Sequence, residues 1–99
     1  MSFQDMLDHL RKTRHDLRSF QDGKLLIGWN KHGDYRTWNS EIVVGACLDE
    51  LDELKKALEP LMYDSDEKFD VESVKDEILD VRNTTEFLWD YITQGKVTG

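Results

Sequence analysis

Residues 43–58 read VVGACLDELDELKKAL, and the spacing of their apolar positions decides the architecture. Val44, Cys47, Leu48, Leu51, Leu54 and Leu58 recur three and four apart. That is the period of one helix face, not of a strand. Asn39 or Ser40 supplies the N-cap, because a short polar side chain accepts from the unpaired N–H groups of a first turn. Pro60 sets the end close to itself, since proline lacks the donor an interior turn needs. The pattern predicts a helix from about residue 39 or 40 to about 60.

The same reading extends in both directions. Downstream, Asp70 caps a helix that reaches about Gln94, with Gly95 as its natural terminator. Val74, Ile78, Val81, Leu88 and Ile92 form its expected core stripe, and Thr84-Thr85 is a point where it can divide in two. Tyr63 to Phe69 reads as a polar connection. Upstream, Ser2 caps a first helix running to about Phe20, with Asp5 in the first turn. Phe3, Met6, Leu7, Leu10, Leu17 and Phe20 fall largely on one of its faces, and Asp22-Gly23 ends it. Between the first two helices, Leu25-Leu26-Ile27 is too short to assign to a strand, a helical turn or a buried loop. Trp29, His32, Tyr35 and Trp38 gather in this stretch, from Lys24 to Thr37, either as a plug for the core or as the lining of a pocket.

Three helices and no alternating segment make the expected fold all-α, a small antiparallel helical bundle. The 99 residues form one domain, 1–99. A helical chain this short often completes its core by association, so a homodimer or homotetramer is expected. One cysteine, Cys47, excludes an intramolecular disulfide and suits a reducing compartment, which makes cytoplasmic residence the expectation. It lies on the core stripe, as packing and not as a nucleophile. No apolar run approaches the roughly 20 residues that cross a bilayer, and no basic segment followed by an apolar one opens the chain. Neither a membrane nor a secretory leader is expected.

The net charge is −8, and it is unevenly placed. Residues 1–38 carry seven basic and five acidic side chains. Residues 49–80 carry thirteen acidic side chains against four basic, a balance of −9. Stable nucleic-acid binding calls for a basic patch, and this chain shows the reverse. Three readings fit: a solvated acidic face, a surface that imitates nucleic acid, or carboxylates that collect divalent cations.

A second stripe on two of the helices bears on that choice. Val43, Ala46, Glu50, Glu53 and Ala57 share a face of the central helix. Ser73, Glu77, Asp80, Thr84, Phe87 and Tyr91 share one on the last helix. Each stripe is small or apolar apart from two carboxylates, whereas a solvated face would intersperse Lys and Arg. If the helices pack, four carboxylates converge. Unpaired charges in a partly dry site are costly and shift toward neutrality unless a cation offsets them. Mg²⁺ or Mn²⁺ prefers such oxygen ligands, and Mg²⁺ is usually held together with substrate phosphates.

These residues resemble the signature of the MazG-like, all-α nucleoside triphosphate pyrophosphohydrolases, which is E-E-x-x-E on one helix and E-x-x-D on a later one. The first half reads Asp49-Glu50-Leu51-Asp52-Glu53 and the second Glu77-Ile78-Leu79-Asp80, with residues 54–76 as a 23-residue spacer. LDELDELKKAL and VKDEILDVRNTTEFLW are similar to the two acidic helices of that family, and the resemblance covers roughly Trp38 to Ile92. The first acidic position departs from the pattern: Asp49 keeps the charge and shortens the reach by one methylene. The first helix and the aromatic stretch match no motif of the family.

The resemblance implies that Glu50, Glu53, Glu77 and Asp80 hold one or more Mg²⁺ ions, or Mn²⁺, around the triphosphate of a nucleotide. It implies water attack on the α-phosphorus, giving a monophosphate and pyrophosphate, with Asp49 orienting a ligand or accepting a proton. Asn83 is a candidate donor to sugar or phosphate, or else an exposed helical Asn. Lys56, Lys55 and Arg82 are candidates to neutralise phosphate charge, or else surface residues. Trp29, Trp38 and His32 are candidates to stack on the base. His9 and His15 lie on the polar side of the first helix, outside the chemistry. Two rivals remain open. One is an acidic helical binding module that mimics DNA or inhibits a partner. The other is a degenerate relative that binds nucleotide without hydrolysing it.

Overall fold

The computed structural model describes residues 2–62 and 69–97. Three helices account for most of them: α1, Phe3–His32; α2, Ser40–Met62; and α3, Val71–Thr93. A short 3₁₀ turn, Tyr35–Thr37, lies between α1 and α2. Among the described residues there is no strand, and no helix is long and apolar enough to cross a membrane. The fold is all-α, as the periodicity predicts. The expected connection at 63–68 lies outside the described residues.

The helix ends follow capping chemistry. Ser2 Oγ accepts from Asp5 N–H at 3.1 Å, and Asp5 Oδ2 accepts from Ser2 N–H at 3.1 Å, a reciprocal capping box. Asn39 Oδ1 accepts from Ile42 N–H at 2.9 Å, so Asn39 caps α2. Asp70 Oδ1 accepts from the N–H groups of Glu72 and Ser73. Gly95, at φ 74°, closes α3 as expected.

Two features differ from the sequence reading, the end of α1 and the continuity of α3, while α2 ends close to Pro60 as expected. α1 does not stop at Asp22-Gly23; it continues through the aromatic stretch to His32. A glycine inside a helix costs only about 1 kcal/mol, and packing of the following turns on α3 outweighs that. The left-handed backbone that only glycine adopts freely falls at Gly33 instead, at φ 77°, where its N–H donates to Trp29 O. α2 runs past Pro60 to Met62. Thr84-Thr85 does not divide α3: their hydroxyls donate back to Asp80 O and Val81 O, at 3.0 and 2.7 Å, and the helix carries on.

α2 and α3 pack antiparallel, with Glu50 near Glu77 and the start of α2 near Tyr91. The packed faces match the expected stripes only in part: Cys47 and Val74 belong to those stripes and are buried. Val43 is 1% exposed and Cys47 is buried, while Leu48 and Leu51 face outward. On α3, Val74, Leu79, Asn83, Thr84 and Tyr91 are buried, while Ile78 and Ile92 are exposed. The helix pair thus closes between the two stripes of each helix, turned toward the one that bears the carboxylates. Of the more apolar stripe of α2, Leu48 and Leu51 are left outside it.

The segment after α1 is pinned by aromatic contacts. The Tyr35 ring stacks on Phe87, centroids 4.1 Å apart, and Trp38 meets Phe87 edge-on at 5.9 Å. Tyr91 Oη lies 2.7 Å from Tyr35 O and 2.6 Å from Trp38 O, shared between the two carbonyls. Tyr35 Oη donates to Asp90 at 2.7 Å, and this bond with burial pushes the Tyr35 hydroxyl up to about 12. Tyr35 and Trp38 are therefore half-buried against α3, and both also line a cleft. Trp29, on α1, stays largely exposed.

Candidate metal centre and adjoining cleft

Three of the four expected ligands come together. Glu50 and Glu53 from α2 and Glu77 from α3 each offer a carboxylate oxygen, and the three oxygens lie within 4.8 Å of one another. The i, i+3 spacing on α2 puts Glu50 and Glu53 on neighbouring turns of one face, and the antiparallel pairing brings Glu77 opposite. Glu50 Oε2 and Glu77 Oε2 are buried and lack a hydrogen-bond partner. Burial, then the charges of Asp80, Glu53 and Glu77, pushes the Glu50 carboxyl up to about 7. Glu77 is raised too, by burial first and then by Glu53 and Asp80.

The fourth carboxylate is placed differently. Asp80 lies close enough to raise Glu50 and Glu77, but its Oδ1 faces Lys24 Nζ at 3.2 Å. Lys24 comes from the part of α1 whose secondary structure the sequence alone leaves open between strand, helical turn and buried loop. It was missed for that reason. Continued at helical spacing, Gln21, Lys24 and Gly28 share a face, and that periodicity is the signal that would have found it.

A cleft of about 1190 Å³ opens beside the carboxylates. Its walls include Lys24, Trp29, Trp38, Glu50, Asp80 and Asn83. Lys31, His32 and Arg36 stand along the same wall, with Arg36 held by Asp34 at 2.7 Å. Asn83 is 6% exposed, so it is not a surface asparagine. Its Nδ2 donates to Gln21 O at 3.4 Å, and its Oδ1 is buried without a partner. Gln21, also buried, accepts at Oε1 from Arg82 Nε at 3.1 Å, which ties Arg82 to α1 and away from a phosphate role.

Two expected site residues lie elsewhere. Asp49 is exposed and outside the three-carboxylate group, because one residue along a helix turns the side chain by about 100°. Lys56 is exposed, pairs with Asp52 at 2.9 Å along its own helix and does not line the cleft.

The donor set suits a hard cation. It is all carboxylate oxygen, partly dry, with two oxygens unpartnered and one carboxyl pushed up to about 7 by burial and then by its acidic neighbours. Comparisons of the chain with protein-family models, with curated proteins and with solved structures found no match.

Proposed function

We propose that the chain is a Mg²⁺-dependent nucleotide pyrophosphohydrolase of the MazG-like kind, with Mn²⁺ as an alternative ion. It cleaves a (d)NTP to the monophosphate and pyrophosphate and so controls canonical or modified nucleotide pools. The observation that carries the reading is the meeting of Glu50, Glu53 and Glu77, of which Glu50 also lines the cleft, with two buried oxygens unpartnered. An ion held there supplies positive charge for phosphate oxygens and acidifies a water that it binds.

The chain's own residues do the rest. Lys24 and Lys31 bring positive charge to an otherwise acidic cleft and draw in the polyphosphate. Trp29 offers an exposed ring face to the base, and Trp38 closes the pocket behind it. Asn83 Oδ1 accepts from a sugar hydroxyl, or with the amide turned Nδ2 donates to phosphate. Water adds to the α-phosphorus, the bond to the bridging oxygen breaks, and pyrophosphate leaves. A homodimer or homotetramer accompanies this reading.

The test is pyrophosphate release from a panel of NTPs and dNTPs with Mg²⁺. Release from one or more nucleotides is expected, and Glu53→Gln and Glu77→Gln should each weaken Mn²⁺ binding by calorimetry and suppress release. Metal binding without release from any nucleotide would leave only a nucleotide-binding relative. A cluster that takes up no metal would leave an acidic module for a basic partner.

A further inference from the structure

Most polar side chains that line the cleft are already engaged within the chain. Lys24 faces Asp80, and Arg36 lies 2.7 Å from Asp34. Asp90 accepts from Tyr35 Oη at 2.7 Å and from Gln94 Nε2 at 2.6 Å, one bond to each oxygen. The Thr84 hydroxyl donates to Asp80 O and Val81 O. Lys31 brings a cation suited to phosphate. Two acceptors on α3 are left over. Asn83 turns Nδ2 to Gln21 O, and its Oδ1 is buried without a partner. Glu86 lines the cleft and is exposed, and among the described residues its carboxylate has no hydrogen-bond or ion-pair partner.

Their order along the wall matches the parts of a nucleotide. Asp80, Asn83 and Glu86 follow one another at i, i+3 spacing, each about 4.5 Å further along the axis. Asp80 stands beside the carboxylate cluster. Glu86 stands at the other end, next to Phe87 and its stacked partner Tyr35. Phosphates held at the cluster bring the sugar to the level of Asn83 and the base to the level of Glu86, about 9 Å from Asp80.

A carboxylate accepts and does not donate. The base that meets it must bring the donor. The exocyclic amino group of cytosine or adenine does so, whereas thymine and uracil carry a carbonyl oxygen at the matching position and set acceptor against acceptor. His32, on the α1 wall, donates or accepts and so selects neither. Resting on the proposed binding of a nucleotide in this cleft, we infer that the substrate is one whose base carries an exocyclic amino group, read by the Glu86 carboxylate. Glu86 sets which base is accepted and takes no part in bond breaking.

Matched pairs that differ at that group test the assignment: dCMP against dUMP, and dAMP against dIMP, titrated by calorimetry without metal so that turnover plays no part. The amino member of each pair should bind about tenfold more tightly. Glu86→Gln, whose amide both donates and accepts, should bring each ratio within about twofold, and Glu86→Lys should reverse it. Both variants should keep wild-type helicity and Mn²⁺ binding, since Glu86 is exposed and outside the three-carboxylate group. Equal affinity within the pairs, tighter binding of the carbonyl members, no binding of any of the four, or a preference that survives Glu86→Lys would each overturn the assignment. Pyrophosphate release is a separate readout. A base preference with no release from any triphosphate would remove the catalytic proposal and leave this one standing, and release without a base preference would do the reverse.

Discussion

Lys24 Nζ lies 3.2 Å from Asp80 Oδ1, joining α1 to α3 at the edge of the carboxylate cluster. The pair explains why three carboxylates meet and the fourth stands aside, since a lysine already balances Asp80. It also sets up a competition, because a divalent ion at Glu50, Glu53 and Glu77 is repelled by the same ammonium that attracts phosphate. Lys24→Gln should therefore tighten Mn²⁺ binding about fivefold, roughly 1 kcal/mol at an intermediate dielectric. The pair is partly exposed, so the loss of stability should stay within about 1 kcal/mol. Calorimetric titration and a urea melt measure the two effects. Unchanged or weaker Mn²⁺ binding would show that Lys24 does not compete.

Glu50 should make the metal-free protein sensitive to pH in an unusual direction. Its folded pKa is raised from 4.5 to about 7, mainly by burial. The folded state therefore keeps a proton that the unfolded chain has lost, and stability falls as pH rises from about 4.5 to about 7. Glu77 shifts in the same direction. Thermal melts in a chelator should show a lower Tm at pH 8 than at pH 5.5, Glu50→Gln should flatten that slope, and Mg²⁺ should raise Tm more at pH 8 than at pH 5.5. A Tm that rises across this window in Glu50→Gln and wild type alike would remove the role given to Glu50.

The sequence made α2, α3 and the Glu50, Glu53, Glu77 grouping legible because caps and helical spacing are local features. Two things were hidden. Gly23 reads as a stop only when tertiary contacts are invisible, and once Gln21 packs on Asn83 and Arg82 the helix passes through it. That concealed Lys24. The second was the choice of face. Cys47 is buried as its stripe predicts, yet Leu48 and Leu51 beside it are exposed and Val43 of the adjacent stripe is buried, because how far the contact face is turned is settled by the pair of helices together. Periodicity within one helix does not contain that information.

Tyr91 should act as the clasp for the turn between α1 and α2. It is 1% exposed, and its hydroxyl serves the carbonyls of both Tyr35 and Trp38. Tyr91→Phe leaves those two oxygens without their partner, at a cost of about 1–3 kcal/mol. A urea melt should report that loss, with a change in tryptophan fluorescence from Trp38. A loss under about 0.5 kcal/mol would mean that water satisfies the carbonyls equally well.

Asn83 separates a binding role from a structural one. A buried amide that is fully bonded costs about 1–3 kcal/mol to remove, but Asn83 makes one long bond and leaves Oδ1 unpartnered. Asn83→Ala should therefore cost the fold less than about 1 kcal/mol. If Oδ1 is held ready for the nucleotide, the same substitution should raise KM about tenfold, near 1.4 kcal/mol of lost interaction. Asn83→Asp should be worse on both counts, since it adds a further negative charge beside Glu50 and Asp80. Denaturation and steady-state kinetics on both variants decide the matter: a large stability loss with unchanged KM would make Asn83 a strut between α1 and α3, and a raised KM with the fold intact would make it part of the nucleotide pocket.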